Sequence, residues 1–212
     1  MSILVVDDHR MFSEGLALVL RHGLPEHEIK LADTVNEGLH VVETDPDIAL
    51  ILLDLRMPGL DGMSFVEGLA KRGLATPFAV VSAATDVERI GTAMEAGAMG
   101  FVPKSHDGSA LVEAVRTMLG GDLYVPDELR DRIAARRDGL VDESPRHRRF
   151  GITDTQFRVL DCLGKGSSNR DIAHALHVSE NTVKSHVQAL FQVLAVTNRT
   201  AAVQIARELE LI

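Results

Sequence analysis

The sequence lacks the features that would mark a secreted or membrane-embedded protein. One cysteine, Cys162, stands in 212 residues, so no intrachain disulfide framework is possible. The most apolar run, Ile48–Leu53, is far shorter than the roughly 20 residues that cross a bilayer. The N-terminus has no basic region of the kind that opens a signal peptide. We therefore expect a cytoplasmic protein that makes no membrane contact.

An excess of positive charge is also missing. The formal net charge is −9, and it is unevenly distributed. Residues 1–120 contain nine basic and eighteen acidic side chains, residues 121–150 contain seven of each, and residues 151–212 contain six of each. The acidic first part and the balanced remainder indicate two units with different tasks. Charge alone therefore gives no support for nucleic-acid binding.

The first 120 residues alternate between short apolar segments and helical patterns. Continuous apolar segments separated by helices are typical of a parallel sheet that is covered on both faces. Five such units predict an α/β fold with a five-stranded, doubly wound parallel sheet. The predicted strands are Ile3–Val6, Glu28–Ala32, Ile48–Leu53, Phe78–Val81 and Gly100–Val102. The predicted helices are Phe12–Leu20, Asn36–Thr44, Met63–Lys71, Val87–Ala96 and Ser109–Leu119, and Thr34 with Glu37 predicts a capping box at the second.

The pattern changes after residue 120. A helix is predicted at Asp127–Arg136, and the polar stretch DGLVDESPRHRRFG that follows is typical of a linker. From Thr153 onward the pattern is helical with short loops, and Thr153 with Gln156 has capping-box spacing. We therefore expect an α/β domain at 1–120, a linker with a short helix at 121–150 and a smaller all-α domain at 151–212. Its predicted helices are Asp154–Leu163, Asn169–Leu176, Glu180–Leu194 and Thr200–Leu209.

Polar side chains follow four of the five predicted strands. Asp7 and Asp8 follow the first strand, Asp54 the third, Ser82 the fourth and Lys104 the fifth. Since the carboxyl ends of parallel strands share one edge of the sheet, these side chains should converge. Three neighbouring carboxylates repel one another unless a cation lies among them, and an all-oxygen site suits Mg²⁺. A carboxylate there can also accept a phosphoryl group as a nucleophile.

Two other interpretations of these acids stay open. Acids at strand ends are often solvated loop residues without a ligand. A Mg²⁺-dependent phosphatase could also use an aspartyl nucleophile, but such enzymes usually have a second acid two residues later, where this chain has Arg56.

Four motifs carry a family resemblance over essentially all of residues 1–120. In order they are VVDDHRMFSEGL, LLDLRMPGLDG, VVSAA and GAMGFVPKS, and they resemble the receiver domain of bacterial two-component response regulators, a flavodoxin-like fold. The resemblance implies that Asp54 takes a phosphoryl group from a sensor histidine kinase. It also implies that Asp8, Asp54 and the carbonyl of Arg56 bind Mg²⁺, that Asp7 acts through water, and that Ser82 and Lys104 contact the phosphoryl group.

The chain departs from many receivers at two places. Phe101 stands at the switch position where many have tyrosine, so it is either a switch residue or simply a core aromatic. Ser105 follows Lys104 and Pro103 precedes it, whereas many receivers have proline after the lysine. The loop conformation of other receivers is therefore not carried over to this chain.

The segment NRDIAHALHVSENTVKSHVQALFQVL predicts two amphipathic helices joined by a tight turn. A second helix capped by Ser179 and presented in this way suits the DNA major groove, with Lys184 and Gln188 able to reach phosphate or bases. Ordinary helix packing, or a protein-binding output, would fit the same pattern and its neutral charge.

A second resemblance favours DNA. The pieces TDTQFRVL, VSENTVKSHV and VTNRTAAV resemble the LuxR-type helix-turn-helix, and with the receiver they make the chain similar to NarL/FixJ-type regulators. That similarity implies a bacterial regulator that binds double-stranded promoter DNA and forms a homodimer on activation. The DNA-facing positions it implies are Thr182, Lys184, Ser185 and Gln188. Val193 and Ala195 stand where the family usually has lysine and glycine, which should lower phosphate affinity.

Overall fold

The computed structural model of the chain describes residues 1–57, 62–83, 87–127, 129, 147 and 150–212. Its first part contains a five-stranded, all-parallel sheet with the order β2-β1-β3-β4-β5. The predicted α/β fold is therefore confirmed, and each strand lies within one residue of its predicted bounds. The strands are β1 Ser2–Val6, β2 Glu28–Ala32, β3 Ile48–Leu53, β4 Phe78–Ser82 and β5 Phe101–Pro103.

Helices follow the strands in alternation. They are α1 Arg10–Gly23, α2 Val35–Thr44, α3 Gly62–Lys71, α4 Val87–Glu95 and α5 Gly108–Leu119. The prediction for the first helix was too short at both ends. Apolar periodicity marks only the buried stripe of α1, which includes Leu16 and Leu20, whereas its ends are exposed and are set by backbone hydrogen bonding.

The two predicted capping boxes have different outcomes. At α2 the Thr34 hydroxyl accepts from the Glu37 amide at 3.2 Å, but the Glu37 carboxylate accepts from the amide of Asp33 rather than that of Thr34. That box was therefore only half right. The Thr153–Gln156 box is complete, because the Thr153 hydroxyl accepts from the Gln156 amide and the Gln156 side chain accepts from the Thr153 amide.

The sheet separates two apolar cores. Side chains of β1 alternate between them: Leu4 and Val6 join the core on one face, and Ile3 and Val5 join the core on the other. All residues of β1, β3 and β4 are buried. This two-sided burial explains why the strands are continuous apolar runs, and it leaves only the strand ends for polar chemistry.

The chain stays against the sheet after α5. The amide of Phe101 donates to the carbonyl of Tyr124 at 2.9 Å, and the Tyr124 amide donates to Met99. Leu129 lies in one of the two cores. Apart from Asp127 and Leu129, the predicted helix Asp127–Arg136 lies outside the described residues, as does most of the predicted linker.

Four helices form the C-terminal part around a third apolar core. The turn between the second and third of them places His177 in the left-handed region with φ 55°. Ser179 then caps the following helix by accepting from the Thr182 amide at 3.1 Å, and Asn198 caps the last. The predicted all-α part is confirmed. Its helices are α6 Asp154–Gly164, α7 Asn169–Leu176, α8 Glu180–Val193 and α9 Arg199–Glu208.

Among the described residues, no helix is long and apolar enough to cross a membrane.

Candidate functional site

Three of the predicted site residues are buried at the carboxyl edge of the sheet. Asp7 follows β1 and is 2% exposed, Asp54 follows β3 and is 3% exposed, and Ser82 ends β4 and is 2% exposed. Burial of two carboxylates so close together is unfavourable unless positive charge or hydrogen bonds offset their mutual repulsion. Both carboxylates have such partners, a lysine ammonium and backbone amides.

Lys104 is the main counter-charge of this site. Its Nζ lies 2.6 Å from Asp7 Oδ2 and 2.7 Å from Asp54 Oδ2, so one ammonium joins the ends of β1 and β3. Burial opposes the charge on Lys104, but hydrogen bonds to Asp54 and Asp7 outweigh that effect and raise its pKa. Lys104 is therefore cationic at neutral pH. Its position follows from β5, because the Lys104 amide donates to the Ser82 carbonyl at 3.0 Å.

The backbone around Asp54 is held tightly. The amide of Arg56 donates to Asp54 Oδ1 at 3.0 Å, which fixes one carboxylate oxygen and leaves Oδ2 toward Lys104. A Cβ at Gly62, the first residue of α3, would lie only 2.5 Å from the Asp54 carbonyl oxygen. The start of α3 therefore requires glycine to approach the site this closely.

Two residues of the site were missed by the sequence analysis. His9 Nδ1 lies 3.1 Å from Asp7 Oδ1 and 3.2 Å from Asp8 Oδ1, and Lys104 Nζ lies 4.4 Å from the centroid of the Phe12 ring. His9 directly follows the acidic pair, so its position in the sequence was a usable signal. Phe12 had no such signal, because its contact with Lys104 depends on how α1 packs against α5, the helix that follows Lys104.

The donor set fits a divalent cation. Asp7, Asp8, His9 and Asp54 each offer one ligand atom, and these four atoms lie within 4.8 Å of one another. Oδ1 of Asp8 is buried and has no hydrogen-bond partner among the described residues. Such an orphaned oxygen, next to two buried carboxylates, is what a site for a hard cation provides.

Phe101 is 1% exposed and packs in the core on one face of the sheet. Its burial agrees with a core aromatic and with the inward position of a switch residue alike. The switch role stays a prediction.

The four predicted DNA-facing residues differ in their exposure. Lys184 and Gln188 are exposed, Ser185 is half-buried and Thr182 is buried. The Thr182 hydroxyl lies 3.0 Å from that of Ser179, so it belongs to the cap of α8 in this arrangement. Lys184 Nζ donates to the Asn181 side chain at 3.3 Å, on the exposed side of the same helix.

The opposite side of α8 packs against the α/β part. His186 Nε2 donates to the carbonyl of Ala75, between α3 and β4, at 3.3 Å, and the Ser185 hydroxyl lies 3.4 Å from the carbonyl of Leu119. Gly121 has φ 98°, and a Cβ there would lie 2.7 Å from the Ser185 carbonyl oxygen. The contact therefore uses the amino edge of the sheet, the end away from Asp54.

Comparisons with known proteins identify both parts of the chain. The family model of the response regulator receiver domain matches residues 3–116, and that of the bacterial regulatory proteins of the luxR family matches residues 151–206. The protein belongs to the response regulators. Its two family matches confirm both resemblances drawn from the sequence motifs.

Relatives of this response regulator match it over nearly its whole length. The glycerol metabolism activator of Pseudomonas putida is 32% identical over 98% of this chain and 96% of that protein. The nitrate/nitrite response regulator protein NarP of Escherichia coli (strain K12) is 29% identical over 94% of this chain and 91% of that protein. A structure of the response regulator RcsB bound to DNA has a TM-score of 0.58, 18% identity and 98% coverage of both chains, and it supports the fold.

The response regulator thus combines a receiver with a LuxR-type DNA-binding domain. It is a transcriptional response regulator of the two-component type, and its two domains are those of a regulator that binds DNA under the control of phosphorylation. The family favours a regulator over an enzyme, and Arg56 is exposed rather than an acid directed into the site. The acidic edge of the sheet is therefore the place to look for the phosphoryl acceptor.

Proposed function

We propose that Asp54 is the phosphoacceptor of this response regulator, and that a sensor histidine kinase supplies the phosphoryl group. The observation that carries this proposal is the position of Asp54 between Lys104 and the acidic pair, buried at the carboxyl edge of the sheet. Asp7 is equally buried, and its Oδ1 already accepts from the amide and the ring of His9. Both acids have one oxygen on a backbone amide and the other on Lys104. Asp54 is chosen because Asp7 carries the additional His9 ring and because the receiver resemblance assigns the acceptor to the first acid of the motif LLDLRMPGLDG.

The transfer requires few protein groups. Oδ2 of Asp54 attacks phosphorus, the P–N bond of the kinase phosphohistidine breaks, and the released imidazole nitrogen carries the electron pair and takes up a proton. The ammonium of Lys104 then has a phosphoryl oxygen to bind in place of the carboxylate oxygen. The hydroxyl of Ser82, at the end of β4, is the proposed donor to another phosphoryl oxygen.

We propose Mg²⁺ as the resident cation, held by Asp8, Asp54 and the Arg56 carbonyl, with Asp7 acting through water. When bound, the ion neutralises charge on the incoming phosphoryl group. Oδ1 of Asp8 is buried and finds no hydrogen-bond partner in the part of the chain that the structure describes, and these three ligands all offer oxygen, so both features support this assignment.

The proposed division of labour assigns residues 1–120 to phosphoryl acceptance, 121–150 to a linker and 151–212 to DNA binding. We further propose that the contact between α8 and the receiver is the resting state, which ties up part of the DNA-reading helix. Phosphorylation would repack the receiver around Phe101, release α8 and favour a homodimer on promoter DNA in the cytoplasm. The Ser185 contact supports this proposal, because Ser185 is one of the predicted DNA-facing residues and its hydroxyl is held by the Leu119 carbonyl of the receiver. The buried His186 contact fixes the same helix, whereas Lys184 and Gln188 stay exposed.

The proposed function is tested by selecting genomic DNA fragments on the full chain with and without phosphorylation by acetyl phosphate. We expect a defined set of fragments to be enriched only, or mainly, after phosphorylation. Equal and sequence-independent retention in both samples would contradict the proposal and would favour a protein-binding output.

Replacing Lys184 by alanine is expected to weaken binding to an enriched fragment about tenfold, because an exposed cation near the start of α8 is lost from a base or phosphate contact. Fluorescence anisotropy of a labelled fragment at fixed salt measures the effect. Lys71→Ala removes an equally exposed lysine from α3 and should leave the affinity unchanged. Equal affinities for the two variants would place the DNA contact elsewhere.

The contact between α8 and the receiver, which we call docking, should weaken in acid because it includes the buried ring of His186. Burial lowers the pKa of His186 to about 4, against an ordinary value of 6.5, despite its bond to the Ala75 carbonyl. The neutral ring is therefore the docked form, so docking is strongest above pH 6.5 and is lost as the pH falls toward 4. Moving from about pH 7.5 to about pH 5.5 should shift the equilibrium roughly tenfold toward release.

Small-angle scattering of the full chain across this pH range measures the release as an increase in radius of gyration. His186→Gln keeps a donor for the carbonyl but cannot titrate, so its response should be flat, whereas His174→Gln, which changes an exposed histidine of α7, should respond like the parent. A pH response that persists in His186→Gln would refute the role of this ring.

A further inference from the structure

His9 stands where no part of the proposed function requires a side chain. Its amide donates to Asp7 Oδ1 at 2.9 Å, and its backbone forms the N-cap of α1 without a side-chain capping bond. The ring is thus free of a helix-capping role and is held over the acidic pair by its own backbone. Its side chain is 62% exposed, so the ring lies on the solvent side of the acidic site.

The ring nitrogen of His9 is within hydrogen-bonding distance of Asp7, and its distances to Asp8 and Asp54 also fit those of a metal ligand. Nδ1 of His9 lies 3.1 Å from Asp7 Oδ1, 3.2 Å from Asp8 Oδ1 and 3.9 Å from Asp54 Oδ2. An octahedral ion with ligands at about 2.1 Å places neighbouring ligand atoms about 3.0 Å apart and opposite ones about 4.2 Å apart. The distance to Asp8 matches a neighbouring position and the distance to Asp54 a nearly opposite one, whereas the contact with Asp7, which acts through water, is a hydrogen bond.

Lys104 leaves this side of the site open. It contacts Oδ2 of Asp7 and Oδ2 of Asp54, whereas His9 faces Oδ1 of Asp7 and Oδ1 of Asp8. The Asp8 oxygen has no hydrogen-bond partner among the described residues even though the ring lies 3.2 Å away. That pair is therefore close without being aligned as a hydrogen bond, as expected for two ligands that converge on a third atom.

We propose that His9 is a fourth protein ligand of the cation at this site, and that its nitrogen shifts the preference of the site from Mg²⁺ toward divalent transition metals such as Mn²⁺. Mg²⁺ strongly prefers oxygen, whereas imidazole nitrogen is a good ligand for first-row transition ions. The inference rests on the proposed cation site at Asp8 and Asp54. It adds a ligand, and with it a metal specificity, that an all-oxygen site does not have.

The experiment uses Mn²⁺ as the probe on the full chain. Pulsed electron paramagnetic resonance detects a ¹⁴N nucleus bonded to Mn²⁺, and the six-line spectrum of free Mn²⁺ reports binding and competition by Mg²⁺. We expect a ¹⁴N coupling in the parent protein that disappears in His9→Ala and His9→Gln while Mn²⁺ still binds. The preference for Mn²⁺ over Mg²⁺ should fall about tenfold in both variants.

The controls distinguish the role of His9 from the existence of the cation site. His22→Ala changes an exposed histidine at the far end of α1 and should keep both the coupling and the preference. Bound Mn²⁺ that is displaced by Mg²⁺ but shows no ¹⁴N coupling, or a coupling that survives in His9→Ala, would overturn the role of His9 and leave the cation site intact. Absence of Mn²⁺ binding, or binding unchanged by Asp54→Asn, would overturn the site itself and His9 with it.

Discussion

Asp54→Asn is expected to abolish phosphoryl uptake, lowering labelling by acetyl phosphate or by a cognate kinase at least about a thousandfold. The amide of asparagine has nearly the shape of the carboxylate and can still accept from the Arg56 amide, which bonds to Asp54 Oδ1 at 3.0 Å. Its nitrogen, however, cannot attack phosphorus as a carboxylate oxygen does. The fold should therefore persist while the chemistry is lost.

Mass spectrometry of the intact chain after incubation with acetyl phosphate and Mg²⁺ measures this effect directly, because one phosphoryl group adds a fixed mass. Asp122→Asn, which removes an exposed carboxylate beyond α5, should be labelled like the parent. If Asp54→Asn were labelled at the parent rate, the acceptor would be another acid, and Asp7 or Asp8 would be the next to replace.

Lys104→Met is expected to lower the free energy of unfolding by about 3 kcal/mol when Mg²⁺ is absent, since it leaves two buried carboxylates without their counter-charge. Methionine has a similar length and can still pack against the Phe12 ring, so the loss reports charge rather than volume. The same change should slow phosphoryl uptake strongly, because no cation remains to bind a phosphoryl oxygen.

Urea unfolding followed by circular dichroism measures the first effect, with and without Mg²⁺. Added Mg²⁺ should stabilise Lys104→Met more than the parent, because a divalent ion can replace the missing positive charge among Asp7, Asp8 and Asp54. Lys71→Met removes a solvent-exposed ion pair with Glu67 and should change stability by less than about 1 kcal/mol. An equal loss of unfolding free energy in the two variants would mean that the charge of Lys104 does not stabilise the buried carboxylates.

The two predictions concern different consequences of one arrangement. Asp7 and Asp54 are buried because they stand at the ends of strands that are covered on both faces, and their charge is tolerated because Lys104 reaches them from β5. The pair of carboxylates is therefore stabilised by Lys104 in this structure, and a phosphoryl group on the proposed acceptor Asp54 would compete for the same ammonium. Lys104 therefore links the charge on Asp54 to the packing of β1, β3 and β5, and a conformational switch requires such a link.

The fold and the convergence of the acidic residues could be predicted from the amino-acid sequence alone. Apolar runs such as Ile48–Leu53 can be buried on both faces only within a parallel sheet, and parallel strands must bring their carboxyl ends to one edge. Asp7, Asp8, Asp54, Ser82 and Lys104 could therefore be placed together without coordinates. The sequence was less informative at helix ends. Backbone hydrogen bonds, rather than apolar periodicity, set the limits of α1. At the start of α2 the Glu37 carboxylate accepts a hydrogen bond from the amide of Asp33 instead of that of Thr34.

Two features could be learned only from the tertiary structure: the contact between α8 and the receiver, and the position of His9 beside the acidic pair. The contact of His186 with the Ala75 carbonyl joins residues 111 positions apart, and no periodic pattern encodes such a pairing. The place of His9 over the acidic pair depends on a backbone bond to Asp7 and on the start of α1, both of which arise when the chain folds. Periodicity specifies which face of an element is buried, whereas the partners across an interface follow from shape and packing in three dimensions.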